Sequence, residues 1–471
     1  KKSVAISSRN RSPTTKNREI VMQVARNTYL KFVPFQDFNL WDVKVYKSKK
    51  LKPKFSLAKL NNFLSADKME WVEIEDEKEY PILGVRGNGK GVYINRVAKG
   101  SELTMKKYQK SKVNYLFYCK VRTVNGQWGI VYPEFENSYG SSNMQYLEVD
   151  ESKINLRFFE LLLSIKSLTT EFDKNAIGAD GRHFTLKTLL SLEIPLPSLS
   201  EQEILVKNYF NKIEEAEKLS QQANDLETEI ERYFLEQLGI EKTKKQFRKN
   251  TLSSVAFENI EKWGVEYNLG VKSNCFLNSL KYKLNKLKTL IDINPSTILP
   301  KDDLEISFIP MECISDERGE VIELRNKKTS EAKGYTKFKE GDLIWARITP
   351  CMQNGKSAIV NNLTNGLGVG STEFHVLRNS RNDVNIMFIH TLLRLDIVLK
   401  NAMSHFTGSA GQQRVPKSFL EELEVPLPPI SKQQEIVNHI QELKEKIKNQ
   451  KAQAEQLKNQ AEQEFEQAIF S

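Results

Sequence analysis

The feature that most constrains the fold of this chain is a domain-sized internal repeat. The run Leu192-Glu-Ile-Pro-Leu-Pro197 returns 231 residues later as Leu423-Glu-Val-Pro-Leu-Pro428. Weaker matches keep the same order along the chain: Phe35–Trp41 with Phe257–Trp263, and Gly126–Val131 with Gly355–Val360. Loop insertions shift such offsets by a few residues and preserve their order, so the sequence predicts two copies of one fold.

The globular part of each copy combines strands and helices. Tyr115–Val121 and Leu343–Ile348 are rich in β-branched and aromatic residues and have Gly, Asn or Pro nearby, which indicates strands. Leu156–Leu168 and Val384–Leu399 carry apolar residues at helical spacing. A mixed α/β domain is therefore expected in each copy.

A long helix is expected after each Pro-Leu-Pro run. Apolar residues step by three and four from Ala216 to Tyr233, which is typical of a coiled-coil seam, and a similar stripe runs from Ile436 to Ala461. Ser200 and Ser431 are the expected N-caps. Each helix would have about 40 residues and a length on the order of 60 Å.

Neither helix can bury its stripe alone, so we expect the two to pair antiparallel as a spacer. The predicted fold class is α+β, with two mixed α/β domains related by a pseudo-twofold axis and separated by two long helices that form an antiparallel coiled coil.

Composition excludes several classes of protein. The 471 residues allow two or three domains, and 39% hydrophobic with 28% charged residues exclude collagen-like and wholly disordered chains. No run reaches the roughly 18 to 20 uncharged apolar residues of a membrane helix, so a cytoplasmic protein is expected. The four cysteines lie far apart, which argues against a disulfide framework or zinc knuckle and predicts buried, reduced thiols.

The charge is unevenly distributed. The net charge is +10, and residues 1–60 hold 15 Lys and Arg against three acidic residues. Such an excess is typical of a polyanion-binding face, because phosphate neutralisation releases counterions. A solvated lysine surface explains the charge equally well.

Taken together, the divergent repeat and its closing signature resemble the specificity subunit (HsdS) of type I restriction-modification systems. The resemblance is carried by Ile194–Leu205, by Leu238-Gly-Ile240 and by Val425–Ile436, and it extends from about Phe35 to Ser471. It implies the following segments: a basic leader or arm at 1–34, a first target-recognition domain at 35–197, a first spacer helix at 198–240, a linker at 241–256, a second target-recognition domain at 257–429 and a second spacer helix at 430–471.

The resemblance also implies function and partners. Each globular domain would read one half of an asymmetric bipartite site on double-stranded DNA. The helices would set the spacing and dock methyltransferase subunits, two copies being expected, with a restriction subunit as a further partner. The chain itself would hold no cofactor, since S-adenosylmethionine would belong to the methyltransferase.

Motifs for chemistry in this chain are incomplete, so it is expected to be non-catalytic. Asn294-Pro-Ser296 lacks the second proline and the aromatic residue of an amino-methyltransferase loop, and a turn is expected instead. Gly84–Gly91 nearly spells a Walker A loop, but Gly91 stands where Ser or Thr would ligate Mg²⁺. That loop suits phosphate contact through its backbone amides and Lys90. The five histidines show no metal-ligand spacing.

Sequence reading needs Arg, Asn or Gln at base edges, whereas Lys, Ser and Thr suit phosphate. The DNA-binding candidates in the first domain are polar residues expected in loops: Arg86, Asn88, Lys90, Lys106, Lys107, Arg122, Asn125, Gln127, Trp128, Tyr139, Ser141, Ser142, Asn143, Arg182 and His183. Those in the second domain occupy comparable places: Arg325, Lys327, Lys328, Arg347, Gln353, Asn354, Lys356, Ser371, Thr372, Gln412, Gln413 and Arg414. For any one of these residues, an exposed polar loop is an equally good explanation.

Two other interpretations stay open at this point. The chain could be the C-terminal recognition module of a fused methyltransferase-nuclease, and a start without Met fits a trimmed chain. It could also be a structural coiled-coil scaffold with globular ends, which would leave the basic loops unexplained.

Overall fold

The computed structural model describes residues 52–121, 126–173, 184–240, 277–408 and 412–471. The leader at 1–34, the linker at 241–256 and the Phe35–Trp41 and Phe257–Trp263 matches lie outside these ranges. The described residues form two compact units. Unit 1 consists of 52–217 with 454–471, and unit 2 consists of 218–453.

Unit 1 contains three sheets and a group of short helices. Its strands are β1 (Leu57–Lys59), β2 (Leu64–Ala66), β3 (Trp71–Glu73), β4 (Glu79–Val85), β5 (Val92–Lys99), β6 (Lys107–Lys110), β7 (Leu116–Cys119), β8 (Trp128–Ile130), β9 (Tyr139–Gly140), β10 (Met144–Val149) and β11 (Glu193–Pro195). Its helices are α1 (Leu156–Ser164), α2 (Lys166–Asp173), α3 (Leu186–Ser191) and the start of α4 (Leu199–Leu238).

Unit 2 contains the rest of α4 and a similar set of elements. Its strands are β12 (Leu284–Lys286), β13 (Asp292–Ile293), β14 (Glu305–Ile309), β15 (Arg325–Lys328), β16 (Thr336–Lys339), β17 (Leu343–Ala346), β18 (Ser357–Ile359), β19 (Leu367–Gly370), β20 (Phe374–Arg378) and β21 (Glu424–Pro426). Its helices are α5 (Ile386–Leu393), α6 (Asp396–Ser404), α7 (Lys417–Glu422) and the part of α8 (Ile430–Ile469) up to residue 453, and α8 then continues into unit 1.

The two units share their sheet topology. The strand order β2-β10-β7-β8 in unit 1 corresponds to β13-β20-β17-β18 in unit 2, and the pair β1-β11 corresponds to β12-β21. The third sheet is β3-β6-β9-β4-β5 in unit 1 and β16-β19-β14-β15 in unit 2, each with one parallel pair. Unit 1 thus adds the edge strand β3. The predicted α+β fold with two copies of one domain is confirmed.

Helix boundaries follow from capping. Asn155 and Asn385 N-cap α1 and α5, each accepting from a backbone amide of the first turn. The expected cap at Ser200 is wrong, because α4 begins at Leu199 and Ser198 forms a reciprocal pair with Glu201. Ser431 likewise lies inside α8, which begins at Ile430.

The long helices pair antiparallel within each unit. In unit 1, Lys212 of α4 forms an ion pair with Glu464 of α8 at 3.5 Å. In unit 2, the amide of Gln450 donates to Gln222 at 3.0 Å, and the rings of Tyr233 and His439 lie 4.4 Å apart. Residues of the predicted stripe are buried or half-buried, and removal of this apolar surface from water stabilises the packed helices. A coiled coil in the strict sense stays a prediction.

Each unit has its own apolar core. In unit 1 the main cluster packs α1 onto the β7 and β8 side of the sheet, with Phe158, Trp128 and Phe465 among its members. In unit 2 the equivalent cluster contains Phe388 and Trp345. The end of α8 is part of unit 1, where the amide of Lys54 donates to the carbonyl of Ile469 at 2.9 Å.

Candidate nucleic-acid interface

Three groups of predicted residues in unit 2 meet at one end of the sheet β13-β20-β17-β18. The first group lies in the loop that connects β17 to β18, the second in the loop before β20 and the third in the loop before α7. The amide of Arg347 donates to Glu373 at 2.9 Å, that of Val415 to Arg347 at 2.8 Å and that of Thr349 to Gln413 at 3.0 Å. These backbone contacts hold the loops side by side, so the sheet brings distant polar residues onto one surface.

A carboxylate organises this surface from within. The guanidinium of Arg414 donates to both carboxylate oxygens of Glu373, at 2.7 and 2.9 Å, and Arg347 lies 3.9 Å from the same group. Arg414 holds the pKa of Glu373 below its ordinary value. The third nitrogen of Arg414 donates to the carbonyl of Gln412 at 2.9 Å. Arg414 therefore supports the loop, and its expected role as a base reader would require breaking these contacts.

The remaining polar residues of this surface differ in exposure. Asn354, Thr372 and Gln412 are exposed, whereas Gln353, Ser371 and Gln413 are half-buried. Gln353 accepts a hydrogen bond from the hydroxyl of Thr349 at 2.6 Å. The ammonium of Lys356 donates to the carbonyl of Met311 at 3.1 Å, which directs it inward. Asn354, Thr372 and Gln412 are thus the best placed to contact a ligand.

The candidates on β15 lie in a different sheet of unit 2, β16-β19-β14-β15. Arg325 donates to Glu323 at 2.9 Å and to Glu312 at 2.9 Å, and these hydrogen bonds raise its pKa. Lys328 pairs with Asp303 at 3.1 Å. The ammonium of Lys327 lies 4.8 Å from the ring centroid of Phe308, within cation–π range. Arg325 and Lys328 are therefore occupied by carboxylates in this structure.

In unit 1 the glycine-rich loop connects β4 to β5 and packs tightly against its neighbours. The amide of Gly89 donates to the carbonyl of Gly126 at 2.8 Å, and that of Arg86 donates to Gly91 at 3.0 Å. A Cβ at Gly89 would lie 2.6 Å from the carbonyl oxygen of Leu163. The expectation that bare amides face a phosphate is wrong for Arg86 and Gly89, because both bond within the protein.

The side chains of this loop do point to solvent. Arg86, Asn88 and Lys90 are exposed, and the guanidinium of Arg86 lies 4.8 Å from the ring centroid of Tyr93. Asn88 has a left-handed backbone with φ of 59°, which asparagine tolerates well. Exposed Lys106 lies before β6, whereas Lys107 pairs with Glu73 at 2.8 Å. The loop therefore presents cations on a rigid backbone.

The polar residues near β7, β8 and β10 of unit 1 occupy the position that corresponds to the surface around Glu373 in unit 2. The carbonyl of Gln127 accepts from the amide of Cys119 at 3.0 Å, and that of Asn143 from Lys120 at 2.9 Å. Buried Gln109 donates to the carbonyl of Ser141 at 2.9 Å. Asn143 is exposed, whereas Gln127, Ser141 and Ser142 are half-buried.

Two aromatic candidates of unit 1 serve the core. Trp128 is only 2% exposed, and its indole N–H donates to the carbonyl of Leu163 at 3.1 Å. The prediction that Trp128 contacts DNA was wrong, because its side chain lies on a buried strand and packs in the apolar core. The ring of Tyr139 lies 5.0 Å from that of Tyr80, edge to face, which leaves it half-buried. Arg122, Asn125, Arg182 and His183 lie outside the described residues.

Sequence reasoning missed residues that act through others. Glu373 was not predicted, since nothing in its local sequence signals two arginine partners. Arg394 was missed too: its guanidinium donates to the carbonyls of Gly355, Asp316 and Glu317 and so ties two loops together.

Gln202 and Gln433 were seen only as repeat markers, although both are fully buried. Their recurrence at matching positions was the available signal.

Over the described ranges, no group of His, Cys, Asp and Glu is arranged to hold a metal ion. Nor does any helix of those ranges have the length and apolarity needed to cross a membrane.

Comparison with known proteins supports one family. The family model described as the type I restriction modification DNA specificity domain matches twice, at residues 33–228 and 274–459. The chain belongs to this family. Each match covers one globular part and most of the long helix that follows it.

Two curated relatives from Escherichia coli are similar to part of the chain. The specificity subunits of the type I restriction enzymes EcoEI and EcoAI are each 41% identical over 158 residues, which is 33% of this chain and 27% of each relative. The match thus spans about a quarter of the relatives' length.

A solved structure has a similar fold. It belongs to work described as the structural basis underlying complex assembly and conformational transition of the type I R-M system. Its TM-score is 0.55 at 14% identity, covering 89% of this chain and 99% of that chain. At this identity the likeness concerns the fold alone.

Proposed function

We propose that this chain is the DNA-reading specificity subunit of a type I restriction-modification complex. Each unit would read one half of an asymmetric bipartite site on double-stranded DNA, and the paired long helices would set the number of unread base pairs. The observation that carries this proposal is the double match to the specificity-domain family, on two units that share their strand order apart from the edge strand β3 and differ in their polar loop ends.

The different loop ends are the reason to expect an asymmetric site. Unit 1 presents Arg86, Asn88 and Lys90 on its glycine-rich loop, whereas unit 2 presents Asn354 and Gln412 around the Arg414–Glu373 pair. Amide side chains suit adenine and arginine suits guanine in the major groove, while lysine suits phosphate. Two unlike surfaces would select two unlike half-sequences.

Chemistry would belong to the partners. Methyltransferase subunits, in two copies, would dock on the long helices and bind S-adenosylmethionine, and a restriction subunit would join the complex. The incomplete Asn-Pro and Walker-like motifs of this chain support a non-catalytic role.

Genome-wide methylation mapping, in cells that carry the partner methyltransferase with and without this chain, tests the proposal. We expect one bipartite motif to be methylated only when the chain is present. In the purified complex, Asn354→Ala should relax one base position of one half-site at a cost of about 1–3 kcal/mol, leaving the other half unchanged. Lys90→Ala should instead weaken binding to all sequences and lower the salt slope by about one.

Lys78→Ala is a matched control for Lys90→Ala, because Lys78 is an exposed lysine of unit 1 that precedes β4, at the opposite end of that strand from the glycine-rich loop and away from the long helices. DNA binding that is absent at low salt, with partners present, would favour the purely structural scaffold.

A further inference from the structure

Each long helix carries one buried glutamine in its first turn. Gln202 of α4 and Gln433 of α8 are both 0% exposed, although glutamine is mostly a surface residue. A buried amide needs hydrogen-bond partners, since an unpaired one is costly. The partners of these two glutamines are equivalent in the two units.

In unit 1, Gln202 connects α4 to α1. Its side-chain oxygen accepts from the backbone amide of Asn155 at 2.8 Å, and its side-chain nitrogen donates to the carbonyl of Pro197 at 2.9 Å. A longer contact of 3.4 Å reaches the carbonyl of Lys153. Asn155 itself caps α1 by accepting from Phe158 at 3.0 Å. One side chain thus locks the start of the long helix to the start of α1.

In unit 2, Gln433 connects α8 to α5 in the same way. Its oxygen accepts from the backbone amide of Asn385 at 2.9 Å, and its nitrogen donates to Pro428 at 2.8 Å and to Asp383 at 3.0 Å. Asn385 caps α5 through the amide of Met387 at 2.9 Å.

The helix that each glutamine holds reaches the polar loops at its other end. In unit 1, Leu163 near the end of α1 accepts from Trp128, and its carbonyl lies against Gly89 of the glycine-rich loop. Glu160 of α1 also accepts from the amide of Ile130 at 3.3 Å.

In unit 2, His390 of α5 lies 3.1 Å from the hydroxyl of Ser357, and Arg394, just after α5, binds the carbonyl of Gly355. A continuous chain of contacts therefore runs in each unit from the long helix, through the glutamine and a short helix, to the loops.

Building on the proposed function, we propose that Gln202 and Gln433 are positioning residues that set which half-site spacing the subunit accepts. One added base pair moves a half-site by about 3.4 Å along the duplex axis and by about 35° around it. A domain that could swing on its helix would follow such a change and tolerate it. A domain locked by the buried glutamine would not tolerate the change. The glutamine contact between the long helix and the short helix, here called the joint, thus makes the helix length define the spacing, while the loops alone select the bases.

The test uses the full complex with its methyltransferase subunits and the motif found by methylation mapping. Duplexes carry both half-sites separated by the natural gap, or by one base pair more or fewer, and initial methylation rates are compared. Gln202→Met keeps the side-chain length and removes the hydrogen bonds. We expect it to reduce the preference for the natural gap by about five- to tenfold, because a buried hydrogen bond contributes about a factor of five to an equilibrium. The half-site bases should stay unchanged.

Tyr80→Phe is the matched control. It removes a buried hydroxyl of unit 1 that accepts from the amide of Glu75 at 3.0 Å, outside the chain of contacts. We expect a comparable loss of thermal stability with the natural gap preference intact. Gln433→Met tests the second joint and serves if Gln202→Met fails to assemble.

The outcomes separate the two proposals. A wild-type complex that methylates all gaps equally would contradict the proposed bipartite function. A strict wild-type gap preference that Gln202→Met and Gln433→Met both retain would overturn the role of the glutamines alone, as would altered half-site bases at an unchanged gap.

Discussion

In unit 1 the loops at the ends of β7 and β8 rest on glycine backbones, whereas in unit 2 the loops at the ends of β17 and β18 are held by arginines. Gly89 packs on α1 and bonds to Gly126, but Arg414 and Arg394 reach across to Glu373 and to the carbonyls of neighbouring loops. The sheets beneath are alike in order. A shared scaffold therefore leaves the loop ends free to use different contacts, which is what the two unlike reading surfaces proposed above would require.

The cross-strand pairs under these loops show the same contrast. Tyr118 faces Gln145 in unit 1 and its hydroxyl donates to that amide at 2.9 Å. At the equivalent place in unit 2, Trp345 stacks on His375 with an interplanar angle of 17°. Only the second pair contains a histidine, a residue whose ordinary pKa lies near neutral pH. Acid should therefore affect the two units differently.

The largest effect is expected where backbone packs on backbone. In Gly89→Ala the new methyl group would lie 2.6 Å from Leu163, at a φ of +65°, and should destabilise unit 1 by about 4 kcal/mol through overlap and left-handed strain. Hydrogen exchange of residues 84–92 and 126–131 measures the loss.

Gly341→Ala separates the two causes. Gly341 has a φ of +79° and no atom within 4 Å of its added methyl group, so it should cost about 1 kcal/mol from strain alone. Equal costs at the two positions would contradict the packing explanation.

The second prediction concerns pH. Burial lowers the pKa of His375 to about 4, while its side chain bonds to Asn294 at 3.0 Å and to the carbonyl of Val415 at 2.9 Å. The unfolded chain binds this proton near pH 6.5 and the folded one only near pH 4. Unit 2 should therefore keep the contribution of neutral His375 above pH 6.5 and lose on the order of 3 kcal/mol as the pH falls to 4.

Unfolding of unit 2 by urea, followed between pH 7 and pH 4 by hydrogen exchange, checks this slope. His375→Gln places the residue type of unit 1 at this position and should make the slope shallower, while buried His390, whose pKa burial also lowers, contributes the remainder. An unchanged slope in that variant would assign the acid sensitivity to other groups.

The smallest effect is expected at Glu373. Glu373→Gln removes the charge that Arg414 binds and should destabilise the surrounding loops by about 1 kcal/mol, because the pair is partly exposed. Arg414 lowers the pKa of Glu373, so this contribution is present above the ordinary glutamate pKa and is lost as the pH falls through the folded value. Faster exchange in residues 347–349 and 412–415 is the expected signal.

Asp396→Asn provides the comparison, because Asp396 forms a more exposed pair with Lys400 on α6. It should cost only a few tenths of a kcal/mol. A Glu373→Gln effect no larger than this would mean that the carboxylate does not organise the loops.

The repeat, the strands and the long helices could be predicted because each depends on local spacing. Leu343–Ile348 contains β17, and the stripe from Ala216 to Tyr233 lies within α4. Capping was misplaced because Ser198, Ser200 and Ser431 are all suitable residue types, and only backbone geometry decides among them.

The site was harder to predict, since its contacts join distant residues. Arg414 bonds to Glu373 across 41 positions, and Trp128 donates to Leu163 across 35. The local sequence around a polar or aromatic residue near a loop does not show whether its side chain faces solvent or packs against another part of the protein. Lys90, Asn354 and Gln412 are exposed, as expected for loop residues, and their contact with DNA stays a prediction, while the roles of Trp128 and Arg414 required the structure.

The hydrogen bond between Lys54 and Ile469 joins two parts of unit 1 that are synthesised far apart in time, and this affects the order in which the two units can fold. Unit 2 is one unbroken stretch of chain, but unit 1 needs the last turns of α8 to complete its core, with Phe465 and Ile469 among the buried residues. A ribosome delivers these residues only after it has synthesised all of unit 2. The unit encoded second can thus finish folding first, while the unit encoded first keeps an uncovered apolar surface until the end of α8 has been synthesised.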